Sequence, residues 1–227
     1  MEKREESLLT YMQKKQIFLL CLLFLIAVVP RAIELLNNNY LFGYDQGEHF
    51  LQVKKILVDR HLTLIGTEVG GGGGFFQGPG WYYLLAIPFV LSNGDPYAGM
   101  ILMFIIGLSV MLFAFFFARK MFDDKTAFMV SLLLAISPVI IIQSRFIWPP
   151  FPIPFLTVFL LFFLYRVLQG KEKYLPFLAL ALGFMTHFET ATAATLLISL
   201  LMVSPVIFFK KLVSFSTVLL SIMAFSL

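Results

Sequence analysis

Three groups of polar residues have types that could do chemistry: Tyr44-Asp45-Gln46-Gly47-Glu48-His49, Ser144-Arg145-Phe146-Ile147-Trp148-Pro149-Pro150, and His187-Phe188-Glu189. A carboxylate such as Asp45 can take the proton from an attacking hydroxyl, which is the work of a general base. Glu48, almost one helical turn further on, could assist it or bind a cation. The planar guanidinium of Arg145 suits a phosphate, and His187 with Glu189 could contact that phosphate or a sugar. Each group also has a plainer reading. Asp45 followed three residues later by Glu48 has capping-box spacing, Arg145 could anchor a helix end, and His187-Phe188-Glu189 could be a satisfied polar turn. His49 and His61 read as interfacial. Asp45, Glu48 and His49 are ligand types for a divalent cation, but their spacing is not specific, so the need for a metal stays open.

The elements that must position these groups are membrane helices. The 227 residues are 59% hydrophobic and 13% charged, with a mean hydropathy of +0.89, whereas soluble domains run near ~25% charged. A soluble core of this length could not hide so much apolar surface. The 17 Lys and Arg lie in small groups between apolar runs rather than on one basic face, which argues for membrane flanks and against a nucleic-acid partner. A single cysteine, Cys21, excludes a disulfide framework. Apolar runs cover residues 17–36, 97–118, 126–143, 152–168, 174–186, 190–205 and 212–227, each near the ~20 residues a bilayer core demands or slightly short. The expected fold is all-α: a polytopic membrane protein of about seven transmembrane helices, with juxtamembrane helices in its first outer loop. The stretch 79–92 is short and contains Pro88, so it is expected to be interfacial or re-entrant.

With a cytoplasmic N-terminus, Lys3, Arg4, Lys14, Lys15, Arg119, Lys120, Lys125, Arg166, Lys171, Lys173, Lys210 and Lys211 face inside, and Arg31, Lys54, Lys55, Arg60 and Arg145 outside. This obeys the positive-inside bias and gathers the three polar groups on the outer side. A model in which 79–92 also crosses from an external N-terminus scores equally on charge. It is rejected because that stretch is a poor span and would separate the polar groups. The outer loop 37–96 then holds a surface helix over 48–59, a glycine run over 70–74 and a second aromatic helix. The run reads as a linker, since no Walker lysine pattern accompanies it. The chain reads as a single module over 1–227, truncated at its C-terminus inside an apolar run.

The stretches Phe42-Gly43-Tyr44-Asp45-Gln46-Gly47-Glu48, Leu64-Ile65-Gly66, Gly78-Pro79-Gly80-Trp81-Tyr82-Tyr83 and Gln143-Ser144-Arg145-Phe146-Ile147-Trp148 resemble the polytopic GT-C glycosyltransferases of the protein O-mannosyltransferase and aminoarabinose-transferase type, in their N-terminal part. The resemblance implies a catalytic carboxylate at Asp45 and Arg145 near a donor phosphate. It also implies transfer of a sugar from a polyprenyl-phosphate carrier, with inversion at the anomeric carbon, to an acceptor at the outer face. Substrate contacts are expected from Glu48, Arg145, His187, Glu189, Lys54 and Lys55. Members of the family often carry Asp-Glu where this chain has Asp45-Gln46, and some relatives have Asn where it has Pro149. The expected partners are a lipid-linked sugar donor and membrane lipids. The expected location is a prokaryotic plasma membrane, with the active site outside. The cofactor is unknown, with a divalent cation the candidate, and oligomeric state is not legible. The rival readings are a polytopic transporter or lipid flippase, which would place polar groups at mid-membrane, and an inactive membrane fragment.

Overall fold

The computed structural model describes residues 2–37, 41–69, 74–210 and 212–226, with side chains of 2–16, 34 and 208 left undescribed. It is helical throughout: α1 (Glu2–Leu36), α2 (Tyr44–Leu57), α3 (Gly80–Leu91), α4 (Tyr97–Met121), α5 (Asp124–Ile136), α6 (Pro138–Gln143), α7 (Ile153–Leu168), a 3-10 turn (Glu172–Tyr174), α8 (Leu175–Thr186), α9 (Thr190–Phe209) and α10 (Phe215–Phe225). Among the described residues, Tyr97–Met121 and Thr190–Ile207 are long and apolar enough to cross a bilayer unaided, and Ile17–Ile33, Ile153–Leu168 and Phe215–Phe225 are shorter apolar helices. The chain is an all-α membrane protein.

Helix polarity defines two ends. At one end Arg119 pairs with Asp124 between α4 and α5, and Glu172 accepts a hydrogen bond from the Ser214 amide at 2.6 Å, tying the turn before α8 to the start of α10. At the other lie the end of α1, both ends of α3, the α6–α7 connection and the α8–α9 turn. α3 does not cross. Its first residue, Gly80, meets His187, and the hydroxyl of Tyr97, just after it, donates to the Leu35 carbonyl at the end of α1. Pro88 lies inside this 12-residue helix, the stretch that the sequence suggested is interfacial or re-entrant.

The expected span 126–143 is two helices. Pro138 has no N–H, so the Leu134 carbonyl loses its helical partner, and Ser137 turns extended at ψ 118°. Arg31 from α1 fills the gap. It is 1% exposed; its Nη1 donates to Ala135 O at 2.9 Å and to Ala27 O at 2.7 Å, its Nη2 to Leu134 O at 3.1 Å, and its Nε to Ser144 Oγ at 3.1 Å. A charge buried among apolar helices is retained where its donors are met. Ser144 in turn packs on Gly107 of α4, where any Cβ would collide with it.

The main apolar core lies at the α3 end: Trp81, Leu85, Met100, Met103, Ile147 and Met185 draw α3, α4, α8 and the α6–α7 connection together beneath α2. Towards the other end α4 and α7 are joined by phenylalanines, with Phe117 stacked on Phe162 at 4.2 Å between centroids. Such dispersion contacts replace the hydrophobic drive that lipid cannot supply.

Candidate functional site

α2 starts four residues before the expected 48–59 helix, and this changes the role of Asp45. Gly43 is the N-cap, and Gln46 is the capping partner: its Oε1 accepts from the Gly43 amide at 2.9 Å. Its Nε2 donates to the Ile147 carbonyl at 3.2 Å. Gln46, at 4% exposure, therefore pins the first turn of α2 to the α6–α7 connection. Asp45 is freed from capping and stands exposed in that turn.

The sequence 78–83 distributes its work residue by residue. The Gly78 amide donates to Thr186 O and the Gly80 amide to His187 Nδ1 at 3.2 Å, so the segment sits directly on the α8–α9 turn. A Cβ at Gly78 would strike the His187 ring, and one at Gly80 would come within 2.7 Å of His187 Cβ. The hydroxyl of Tyr83 donates to Thr63 O at 2.8 Å. Before this segment the chain folds into a hairpin, with Gly66 N bonding Gln77 O, Gln77 N bonding Thr67 O and Val69 N bonding Phe75 O. The glycine run expected as a linker, 70–74, lies outside the described residues except for Gly74.

The indole of Trp81, fully buried, donates from Nε1 to His49 Nδ1 at 3.1 Å. His49 is not interfacial as its sequence position suggested: it is 3% exposed and is enclosed by Trp81, Tyr82 and Trp148 at ring-centroid distances of 6.0, 5.9 and 6.3 Å. Burial drives its pKa from 6.5 down to about 4, although Asp45 pulls the other way. His61 stays exposed.

These elements enclose a cavity of about 740 Å³ walled by Asp45, Glu48, His49 and Gln52 of α2, Thr63, residues 65–69, Phe76 and Gln77 of the hairpin, Tyr82 of α3, Trp148 to Pro150, and Glu189. A second hollow of about 330 Å³ is bounded by Gly43, Tyr44, Asp45, Gln46, Phe146 and Trp148. Asp45 and Trp148 belong to both. The larger cavity carries four carboxylates, Asp45, Glu48, Glu68 and Glu189, and among the described residues no Lys or Arg lines it.

Of the residues expected to meet at a site, Asp45, Glu48 and Glu189 do so. His187 stands behind the wall, its ring turned to Gly80, and burial lowers its pKa. Arg145 is half-buried at the end of α6, outside both linings but one residue before Phe146 of the smaller hollow. Lys54 and Lys55 are exposed in the last turn of α2 and line neither. Among the described residues no cluster of three or more His, Cys, Asp or Glu is placed to hold a metal ion. Sequence reading named His49 as interfacial or as a cation ligand type beside Asp45 and Glu48, and it did not single out Tyr82, Gln52, Thr67 and Gln77 as cavity residues.

Residues 77–227 match the family model described as dolichyl-phosphate-mannose-protein mannosyltransferase. The chain belongs to that family. It is therefore grouped with membrane glycosyltransferases, in agreement with its apolar helices. The matched stretch takes in the Gly78–Tyr83 segment, Arg145 and the His187–Glu189 turn, while Asp45 and Glu48 precede it. No curated protein and no solved structure matches the chain.

Proposed function

We propose that the protein transfers a sugar from a polyprenyl-phosphate donor to an acceptor hydroxyl at the extracytoplasmic face of the membrane, with Asp45 as the base. The observation that carries this is the placement of Asp45 on the wall shared by two adjoining hollows. A glycosyl transfer without a covalent intermediate needs one carboxylate beside the acceptor hydroxyl, on the far side of the anomeric carbon from the leaving phosphate.

Charge decides which hollow takes which substrate. Four carboxylates in the larger cavity, with no Lys or Arg among its described lining residues, would repel a phosphate diester, whereas hydroxyls can donate to them. The acceptor therefore enters the larger cavity. The donor sugar lies by the aromatic wall of Tyr44, Phe146 and Trp148, with its phosphate towards Arg145, which would stabilise the departing charge. The lipid tail leaves sideways among the apolar helices. Asp45 takes the acceptor proton, the acceptor oxygen bonds to the anomeric carbon, and the carbon–oxygen bond to the phosphate breaks, releasing polyprenyl phosphate.

Mannose is the first sugar to try, and a Ser/Thr peptide the first acceptor, because the family description names mannose and protein. The test is incubation of the reconstituted chain with radiolabelled polyprenyl-phosphate mannose and that peptide. Asp45→Asn should abolish transfer without changing thermal unfolding; full activity in that variant would remove Asp45 from the mechanism.

A further inference from the structure

His49 is a polar side chain that the transfer scheme leaves unused, and its surroundings give it one chemical character. An indole N–H only donates, so the atom receiving it must carry a free lone pair. The Trp81 bond to Nδ1 therefore leaves that nitrogen unprotonated, and the single proton of the neutral ring is on Nε2. Three aromatic rings surround the imidazole, with centroids 5.9 to 6.3 Å away. Its other nitrogen, Nε2, has no hydrogen-bond partner among the described residues, and the ring lines the larger cavity one helical turn from Asp45. The molecule thus holds a neutral N–H, in one tautomer, on a ring that lines a cavity together with the α2 carboxylates Asp45 and Glu48, both acceptors.

We infer that His49 is a substrate-binding residue whose Nε2–H donates to a neutral hydroxyl oxygen of the bound substrate, beside the proton-accepting Asp45. A hydroxyl is the group that fits such a pair: it can accept from His49 through its oxygen and donate its own proton to a carboxylate. A phosphate would be repelled by the carboxylates, and an ammonium has no acceptor for the imidazole proton. The inference rests on the sugar-transfer function for what the hydroxyl belongs to, either the acceptor or the donor sugar. Trp81 acts through His49 as a positioning residue, holding the tautomer without touching substrate.

Two substitutions separate the two halves of the ring. Asn places its amide near the position of Nδ1 and can keep the Trp81 bond, but has nothing at Nε2. Gln reaches the Nε2 position with an N–H donor. His49→Asn should raise KM for one substrate about tenfold, the worth of one neutral hydrogen bond, with unfolding temperature held. His49→Gln should return it to within about threefold of wild type. A KM effect on the peptide assigns the hydroxyl to the acceptor, and one on polyprenyl-phosphate mannose assigns it to the donor. Nitrogen NMR of histidine-labelled protein in detergent reads the proton directly. The expected spectrum has His49 protonated at Nε2, and that resonance shifts when the peptide or a non-transferable mannose phosphonate is added. A proton on Nδ1, or Asn indistinguishable from wild type in both KM values, would overturn the assignment. The spectrum is obtained with or without turnover, so missing transfer counts against the enzymatic function and a missing ligand shift counts against His49.

Discussion

Gly78 lies so close to His187 that a methyl group on its α-carbon would occupy the space of the imidazole ring. The Gly78–Gly80 segment is thereby seated on the α8–α9 turn, and α3 starts where it must to deliver Trp81 to His49. Gly78→Ala should cost about 1–3 kcal/mol, as overpacking does, read as a lower unfolding temperature in detergent. Adding His187→Ala should recover part of the loss, a coupling that a simple sum of two defects would not show.

Arg31 supplies the partners that Pro138 denies to α5. Arg31→Met would keep bulk but leave the Leu134 and Ala135 carbonyls without the guanidinium, while Ser144 keeps its hydroxyl bonds to Ile140 and Ile141. Each buried unpaired group costs about 1–3 kcal/mol, so the variant should unfold far below wild type or fail to accumulate. Pro138→Ala should soften the effect by giving Leu134 O an amide again, and equal loss in both backgrounds would refute that division of labour.

Stability should fall as the medium is acidified towards pH 4. In the folded protein burial holds His49 neutral down to about 4, against 6.5 as a free side chain. Between these values the unfolded chain binds more protons, so unfolding gains as pH falls; above the upper value the contribution is complete. The loss at the acid end is on the order of 1–3 kcal/mol. His187 is shifted the same way by burial, so His49→Gln should flatten the pH dependence of unfolding temperature without abolishing it. An unchanged slope would mean that His49 titrates normally.

Glu189 serves two purposes, since one carboxylate oxygen accepts from the Ala191 amide at 3.2 Å in the first turn of α9 while the residue lines the acidic cavity. Glu189→Gln keeps the acceptor and removes a charge. If phosphate stays in the smaller hollow by Arg145, KM for the lipid-phosphate donor should change less than about twofold, because the charge is screened and remote. A marked fall in that KM would mean that phosphate enters the larger cavity.

Helix limits were readable because apolar runs, Pro and Gly mark them: the expected 97–118 and 152–168 correspond to Tyr97–Met121 and Ile153–Leu168. The break at Ser137 was written in Pro138, yet it was overlooked because the surrounding isoleucines are continuous in hydropathy. Asp45 and Glu189 could be found because charges beside apolar runs are costly and therefore conspicuous. His49 could not. Its character comes from an indole 32 positions away, and nothing in the local order of Gly47-Glu48-His49-Phe50 distinguishes a ring facing lipid headgroups from one locked among aromatics. The role of Gln46 was hidden for the same reason: its second bond reaches Ile147, 101 residues along the chain.

The guanidinium in the first helix also sets an order of assembly. Its carbonyl partners at Leu134 and Ala135 are synthesised more than a hundred residues later, so until then the guanidinium has only the Ala27 carbonyl of its own helix to meet it. Arg31 is five residues from the end of α1, within reach of the headgroups, and can keep its charge in water until the broken helix arrives. Docking of α5 then draws the cation inward and locks α1 into the bundle, so α1 is fixed in place only once α5 has followed it.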